Sequence, residues 1–411
     1  MGRVAGRFRR VEPRRTAREM VAGLASELPE KNCWTLSEHA GHDTPDAMQH
    51  LLSRAVWDAD AVRDDLRDYV VQSLGGREAI LVIDETGDVK KGTTTVGVQR
   101  QYTGTAGRIE NSQVAVFLTY STRLGHTLID RALYLPKSWT TDPDRRAEAG
   151  IPDSEEFATK PALAQTMIDR ALDAGVSAAW VTGDEVYGAD PTLRSTLEAH
   201  AVGYVLAIGR DRRVATGTGP IRADRLTAAL PATAWQPLSA GDGAKGPRLY
   251  EWAWITLDTD TAGYRWLLVR RNPATGELAY YRSYCPHQVP LSTLVGVAGR
   301  RWGVEEDFKA GKGLAGLDQH QVRTWRSWHR WTVLSMLALA LLTILAATEP
   351  THNPEPQDLI PLTRNEIRHL LATVFLPPNH DIGHRFRRSR WRRRHQHRAK
   401  TSHYQRRHSK T

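Results

Sequence analysis

A chain of 411 residues, 40% hydrophobic and 25% charged, has the composition of a folded protein of two or three domains, which excludes a disordered or fibrous one. Its two cysteines, Cys33 and Cys285, stand far apart and in no ligand spacing, which excludes a disulfide scaffold and a zinc module. The formal charge of +10 is a tail property: twelve Lys or Arg and no acid follow Asp381, leaving the rest of the chain near −2.

The first 18 residues carry seven arginines (Arg3, Arg7, Arg9, Arg10, Arg14, Arg15 and Arg18) against the single acid Glu12. They read as a basic arm able to bind phosphates, and they lack the apolar segment of a secretory signal. Thr35-Leu36-Ser37-Glu38 has the form of a capping box, and Thr44-Pro45 that of an N-cap followed by proline at the first helical position. The spacing predicts helices over about 35–41 and 45–56 with a Gly41-His42-Asp43 turn between them. The pair is either a helix-turn-helix, with Asp46, Gln49, His50 and Arg54 on its second helix, or an ordinary short pair in a bundle. A helix over 60–74 ends at Gly75-Gly76 and marks the first boundary.

Residues 79–83 are apolar, as in a strand covered on both faces, and Asp84-Glu85-Thr86-Gly87 follows them. Asp84 then either caps a glycine turn or stands at a strand's C-terminal end, where open α/β sheets gather ligands. Strands are predicted over 113–120 and 127–135, then a loop rich in Asp, Pro and Arg. A helix over 160–174, a strand over 178–182, a helix over 190–200 and a strand over 204–208 come next. Three strands followed by alternating helices and strands are the order of an RNase H-like sheet. Gly183-Asp184-Glu185 repeats the earlier pattern of apolar strand, acid pair and glycine, so Asp184 stands beside Asp84 if the two strands are neighbours. It is also a candidate helix N-cap.

Residues 210–290 interrupt the alternation with strand-like runs at 249–255, 266–269 and 278–281, a β-rich insertion. Helices resume near Leu291 and include the run Arg300 to Lys312, where Glu305, Glu306 and Asp307 are either a solvated face or part of a site. The run Trp331 to Ala347 is 17 residues without a charge, short of a membrane span, and its Thr332, Ser335 and Thr343 suit a buried core helix. A Pro-rich linker, a helix over 363–374 and a basic tail expected to be disordered complete the chain. Three carboxylates converging from two strand ends and a helix would make a hard-oxygen site suited to Mg²⁺ and to cutting phosphodiesters.

The blocks LVIDETGDVKKGTTTVGVQRQYTGTAGRIENSQVAVF, LYLPKSWTTD, WVTGDEVYG and RRWGVEEDFKAGKGLAGLDQHQVRTWRSWHR together resemble the DDE transposases of bacterial insertion sequences, specifically the insertion-sequence 701 family, from about Arg7 to Ala347. The resemblance implies an RNase H-like catalytic core with a β-rich insertion before the third acid, and cut-and-paste transposition. It implies a catalytic and metal-binding triad of Asp84, Asp184 and Glu305 holding two Mg²⁺ or Mn²⁺ ions. The Arg, Glu and Lys of a related signature fall on Arg301, Glu305 and Lys312, while its tyrosine position is Ala298.

The expected organisation is α/β: a helical DNA-binding domain with a basic arm (1–76), an RNase H-like core (77–209), a β-rich insertion (210–290), a helix with the third acid plus the buried helix (291–348), a linker and helix (349–380) and a disordered basic tail (381–411). Expected DNA contacts are Arg7, Arg9, Arg10, Gln49, Arg54, Arg301 and Lys312. The expected partner is double-stranded DNA, both element ends and target, with oligomerisation on DNA, no membrane, and a cytoplasmic, nucleoid-associated location. The competing expectation is a catalytically silent relative acting as a DNA-binding regulator.

Overall fold

The computed structural model describes residues 2–243, 246–257, 261–352, 361–375 and 382–408. Four helices open the chain: α1 (Val11–Leu24), α2 (Cys33–His39), α3 (Asp46–Ser53) and α4 (Ala59–Leu74). Strands β1 (Ile80–Val89), β2 (Gln99–Thr103), β3 (Arg108–Ser121) and β4 (His126–Leu133) follow, then short helices α5 (Lys137–Thr140) and α6 (Pro143–Ala149). Alternation begins with α7 (Lys160–Asp173), β5 (Trp180–Gly183), α8 (Glu185–Gly188), α9 (Pro191–Ala199) and β6 (Gly203–Ile208). Next come β7 (Arg213–Val214), β8 (Ile221–Arg222), α10 (Ala223–Ala228), β9 (Gln236–Gly243), β10 (Gly246–Leu257), β11 (Tyr264–Arg271) and β12 (Leu278–Cys285). The last helices are α11 (Leu291–Arg300), α12 (Trp302–Ala315), α13 (Trp325–His352), α14 (Arg364–Leu370) and α15 (Ile382–His408).

The chain forms two compact units, Met1–Leu66 with Ala310–Thr411, and Arg67–Lys309. This division differs from the one expected along the sequence. The first boundary falls inside α4 and not at Gly75-Gly76, and the buried helix α13 belongs with the N-terminal helices. Such a partition depends on which distant segments pack together, which no local signal records.

The second unit is built on a ten-stranded mixed sheet in the order β2-β3-β1-β5-β6-β12-β11-β10-β9, with β4 also paired to β3. β1 runs parallel to β5 and β5 to β6, while β1 and β3 are antiparallel. Residues 210–290 are thus not a separate layer: β12 pairs with β6, and β11, β10 and β9 carry the sheet onward. Helix α11 packs on β1, β5, β6 and also on β9. At about 4.8 Å per strand a flat sheet would put β9 about 29 Å from β1, whereas α11 is about 15 Å long. The sheet therefore curls around α11. A Cβ on Gly299 would stand 1.9 Å from the Ala240 carbonyl, so only glycine permits this approach of α11 to β9. Arg248 of β10 fastens the junction by donating to the Ala240 and Gly299 carbonyls at 3.0 and 3.1 Å.

In the first unit α13 packs on α1, α3 and α14. It is long and apolar enough to cross a membrane, but 72% of its most apolar window is buried inside the protein, as expected of a core helix. Arg330 of α13 is buried and donates to the carbonyls of Leu51, Leu52, Ala55 and Trp57, satisfying the free C-terminal end of α3. The box at the start of α2 lies earlier than predicted: Asn32 accepts from the backbone of Trp34 and Thr35, and Thr35 accepts the Asn32 N–H. The basic N-terminal arm forms a 3-10 turn over Gly2–Arg7 followed by α1. The tail, expected to be disordered, forms α15: Arg, Lys, Gln and Ala favour helix, no proline interrupts it, and buried Arg388 anchors it. The Pro-rich linker at 353–360 and Pro377-Pro378 lie outside the described residues.

Candidate active site

β1 was expected to end at a glycine turn after Asp84. Instead it runs on to Val89 against β3, and Asp84 lies at mid-strand, one residue beyond the last parallel pair, Ile83 with Gly183. Gly87 is a point of close approach: a Cβ there would meet the Thr103 hydroxyl at 2.1 Å. Because β5 stops where β1 continues, Asp84 and Asp184 emerge side by side from adjacent parallel strands. Asp184 also caps α8, accepting the Val186 N–H at 2.9 Å. Asp84 is 7% exposed and accepts the Glu85 N–H at 2.8 Å.

The predicted helix from Arg300 to Lys312 is divided at Arg301, which ends α11 in helical backbone geometry; α12 begins at Trp302. From that junction the guanidinium reaches Asp84 Oδ2 at 3.4 Å and Glu305 Oε1 at 4.0 Å. Burial and the neighbouring Asp184 push the Asp84 carboxyl up to about 8, against the pull of Arg301. Asp184 is also raised, by burial and by Glu85.

The register of α12 separates its three consecutive acids. Asp307 is fully buried, accepting from Thr119 Oγ1 at 3.0 Å and pairing with His126 Nδ1 at 2.9 Å. Glu306 meets His126 Nε2 at 3.2 Å. Glu305 faces Arg301, which in turn reaches Asp84. With Phe308 packed on Phe117, α12 is locked to β3 and β4. Gly311 and Gly313 do not end the helix, so Lys312 stays on α12, about 10 Å along the axis from Glu305.

Sequence reasoning missed the partners of Glu85. Its two oxygens are held by Lys160 Nζ at 2.6 Å and Tyr187 Oη at 2.6 Å, which occupies the second acid of the pair and ties α7 and α8 to β1. The Tyr in the Asp184 motif was the available signal. Among the described residues no group of three His, Cys, Asp or Glu side chains is close enough together to hold a metal ion. Asp84 and Asp184 nonetheless fit a hard cation, being paired carboxylates raised by burial and by their acidic neighbours. Arg301 stands between that pair and Glu305.

The expected DNA contacts are dispersed. Arg7 is engaged bidentately by Asp65 at 2.6 and 2.8 Å, which takes it out of the free cations, whereas Arg9, Arg10, Gln49 and Arg54 are exposed.

Two acids on adjacent parallel strands and a helix-borne glutamate across an arginine define an acid-clustered α/β site. The chain belongs to the DDE superfamily endonuclease family, which it matches over residues 3–229; residues 158–341 also match a transposase DDE domain. It is similar to the probable transposase for insertion sequence element IS701 of Microchaete diplosiphon, 32% identical over 188 residues. That match covers 45% of this chain and 46% of the relative, so the chain spans about half the length of the curated relative. Among solved structures it is similar to the piggyBac transposase in a synaptic complex with hairpin DNA, at 12% identity and a TM-score of 0.43, over 91% of this chain and 75% of that one.

Proposed function

We propose that this chain is a DNA transposase of the insertion-sequence 701 type, with an RNase H-like core in the second unit and DNA-reading helices in the first. It would bind the inverted repeats at its element's ends, hydrolyse the strand to free a 3′-hydroxyl and direct that hydroxyl at target DNA, oligomerising on DNA in the cytoplasm. The observation that carries the proposal is the convergence of Asp84, Asp184 and Glu305 around Arg301. Asp84, Asp184 and Glu305 would hold the divalent ions, two Mg²⁺ or Mn²⁺, whose charge activates the attacking oxygen and stabilises the leaving one.

The protein's own groups supply the rest. Arg301, forked and permanently charged, suits a phosphate of the cleaved strand, and Lys312 lies further along the same helix for the backbone beyond. Lys160 and Tyr187 occupy Glu85 and so keep it from competing with Asp84. Gln49 on α3 and Arg54 just after it would contact bases or backbone, with Arg9 and Arg10 adding phosphate contacts.

The test uses duplexes carrying the inverted repeats that bracket the gene. Cleavage should require Mg²⁺ or Mn²⁺ and be abolished by Glu305→Gln, while Glu306→Gln remains active. An active Glu305→Gln beside a dead Glu306→Gln would overturn the assignment of the third acid. Repeat-end duplexes left uncut by the unaltered chain would overturn the catalytic proposal itself.

A further inference from the structure

Helix α15 is 27 residues long, contains eleven Lys or Arg and no acid, and lies beyond both family matches, which end at residues 229 and 341. Like charges one turn apart oppose helix formation by roughly 0.2–0.5 kcal/mol per pair, so this helix needs support from outside itself. Part of that support is visible. Arg388 is 2% exposed and donates to the Trp34 carbonyl in the first turn of α2 at 2.6 Å and to the His42 carbonyl in the turn after it at 3.0 Å. Trp391 packs on Trp34 with ring centres 4.9 Å apart, and His395 stacks on Trp391 at 5.3 Å. Asp43, in the turn between α2 and α3, faces His384 and Arg387. Half of α15 is thereby seated on the helix pair expected to read DNA.

The following turns are open to solvent. Every residue from Arg392 to Lys400 is exposed. A groove of about 530 Å³ opens between α15 and the start of α3, lined by Arg394, His395, Arg398 and Ser402 with Asp46 on the opposite side. Gln49 and His50, one turn further along α3, are exposed beside it.

We infer that α15 and α3 form one composite surface, and that the groove between them takes the phosphate backbone of duplex DNA. Cations at a one-turn spacing, 394 and 398, flanked by the flat His395 and Trp391 rings, match a chain of phosphates and sugars, and the fixed seat on α2 aligns that grip with the exposed face of α3. The inference rests on the proposed function only in its choice of duplex DNA as the polyanion.

The test uses the full chain and a labelled duplex of random sequence, with affinity measured across a salt series. Arg394→Gln with Arg398→Gln alters two exposed side chains and should lower the magnitude of the log K against log salt slope by about 1.8, at about 0.9 for each phosphate no longer neutralised. Arg393→Gln with Lys400→Gln removes the same charge from the far side of α15 and should change the slope much less. Trp391→Ala, which removes no charge, should weaken binding roughly tenfold by unseating the helix. Equal losses from the two double variants would overturn the composite surface and leave an undirected polycation. Tighter binding to anionic lipid vesicles or to an RNA hairpin than to the duplex would overturn the partner. The proposed function fails separately, if the unaltered chain binds duplex normally yet never cuts a repeat end.

Discussion

Replacing Asp84 by Asn should make the metal-free protein more stable, by an amount that grows with pH. In the folded protein the Asp84 carboxyl is raised from 3.8 to about 8, so between those values the folded state binds more protons than the unfolded chain. Stability therefore falls as pH rises through that window, at up to about 1.36 kcal/mol per pH unit, and levels off above the folded pKa. Between pH 5 and pH 8 the accumulated cost to the unaltered protein is about 4 kcal/mol. Asparagine carries no charge at any of these pH values, keeps an oxygen to accept the Glu85 N–H, and escapes the cost.

Thermal unfolding in a chelator should show Asp84→Asn gaining on the unaltered chain as pH rises from 5 to 8, by on the order of 10 °C at the upper end. Mn²⁺ should narrow that gap, since the cation stabilises only the protein that holds it, by about 2.7 kcal/mol at one hundred times its Kd. A stability difference that stays constant between pH 5 and pH 8, or that Mn²⁺ leaves untouched, would refute the claim that Asp84 is a buried acid kept for a cation.

Two further outcomes follow from the surroundings of that acid. Asp307→Ala removes the buried acceptor shared by Thr119 and half-buried His126 and should cost about 3–5 kcal/mol, with cleavage reduced as α12 loosens, whereas Glu306→Gln on the exposed side should cost less than about 1 kcal/mol; denaturant unfolding decides. Lys160→Met should shift the acid limb of the cleavage pH profile upward and Glu85→Gln should shift it downward, because Glu85 raises the Asp84 carboxyl and Lys160 offsets Glu85; shifts in the same direction would exclude this coupling.

The two strand-borne acids were legible because the signal is local: a buried strand writes itself as an apolar run, and the acid that ends the run is easy to see. The capping role of Asp184 was legible for the same reason. What escaped was set by partners distant in sequence. Gly87 looks like a turn until Thr103 is known to press against it, and Glu85 looks like a spare acid until Lys160 and Tyr187 reach it. The expectation of one helix from Arg300 to Lys312 treated Arg301 as an interior helical residue. The break there places its guanidinium between Asp84 and Glu305. The fate of the basic tail was misread for a related reason. Charge density argues against order in a chain considered alone, whereas Arg388 docks on the Trp34 and His42 carbonyls.

The stretch before the third acid illustrates the same dependence on a larger scale. A sequence that alternates helix and strand, then departs into some eighty residues of strands, invites a reading in which the departure is an appendage. In the folded chain β12 to β9 extend the central sheet, and its curl brings β9 against α11 at Gly299, two residues before Arg301. Arg248 then joins the Ala240 and Gly299 carbonyls. The far edge of the sheet therefore supports the helix junction from which Arg301 and Glu305 meet Asp84. Disturbing β9 or β10 should act on the site through that junction. The strands expected to interrupt the sheet are part of what positions Arg301 and Glu305.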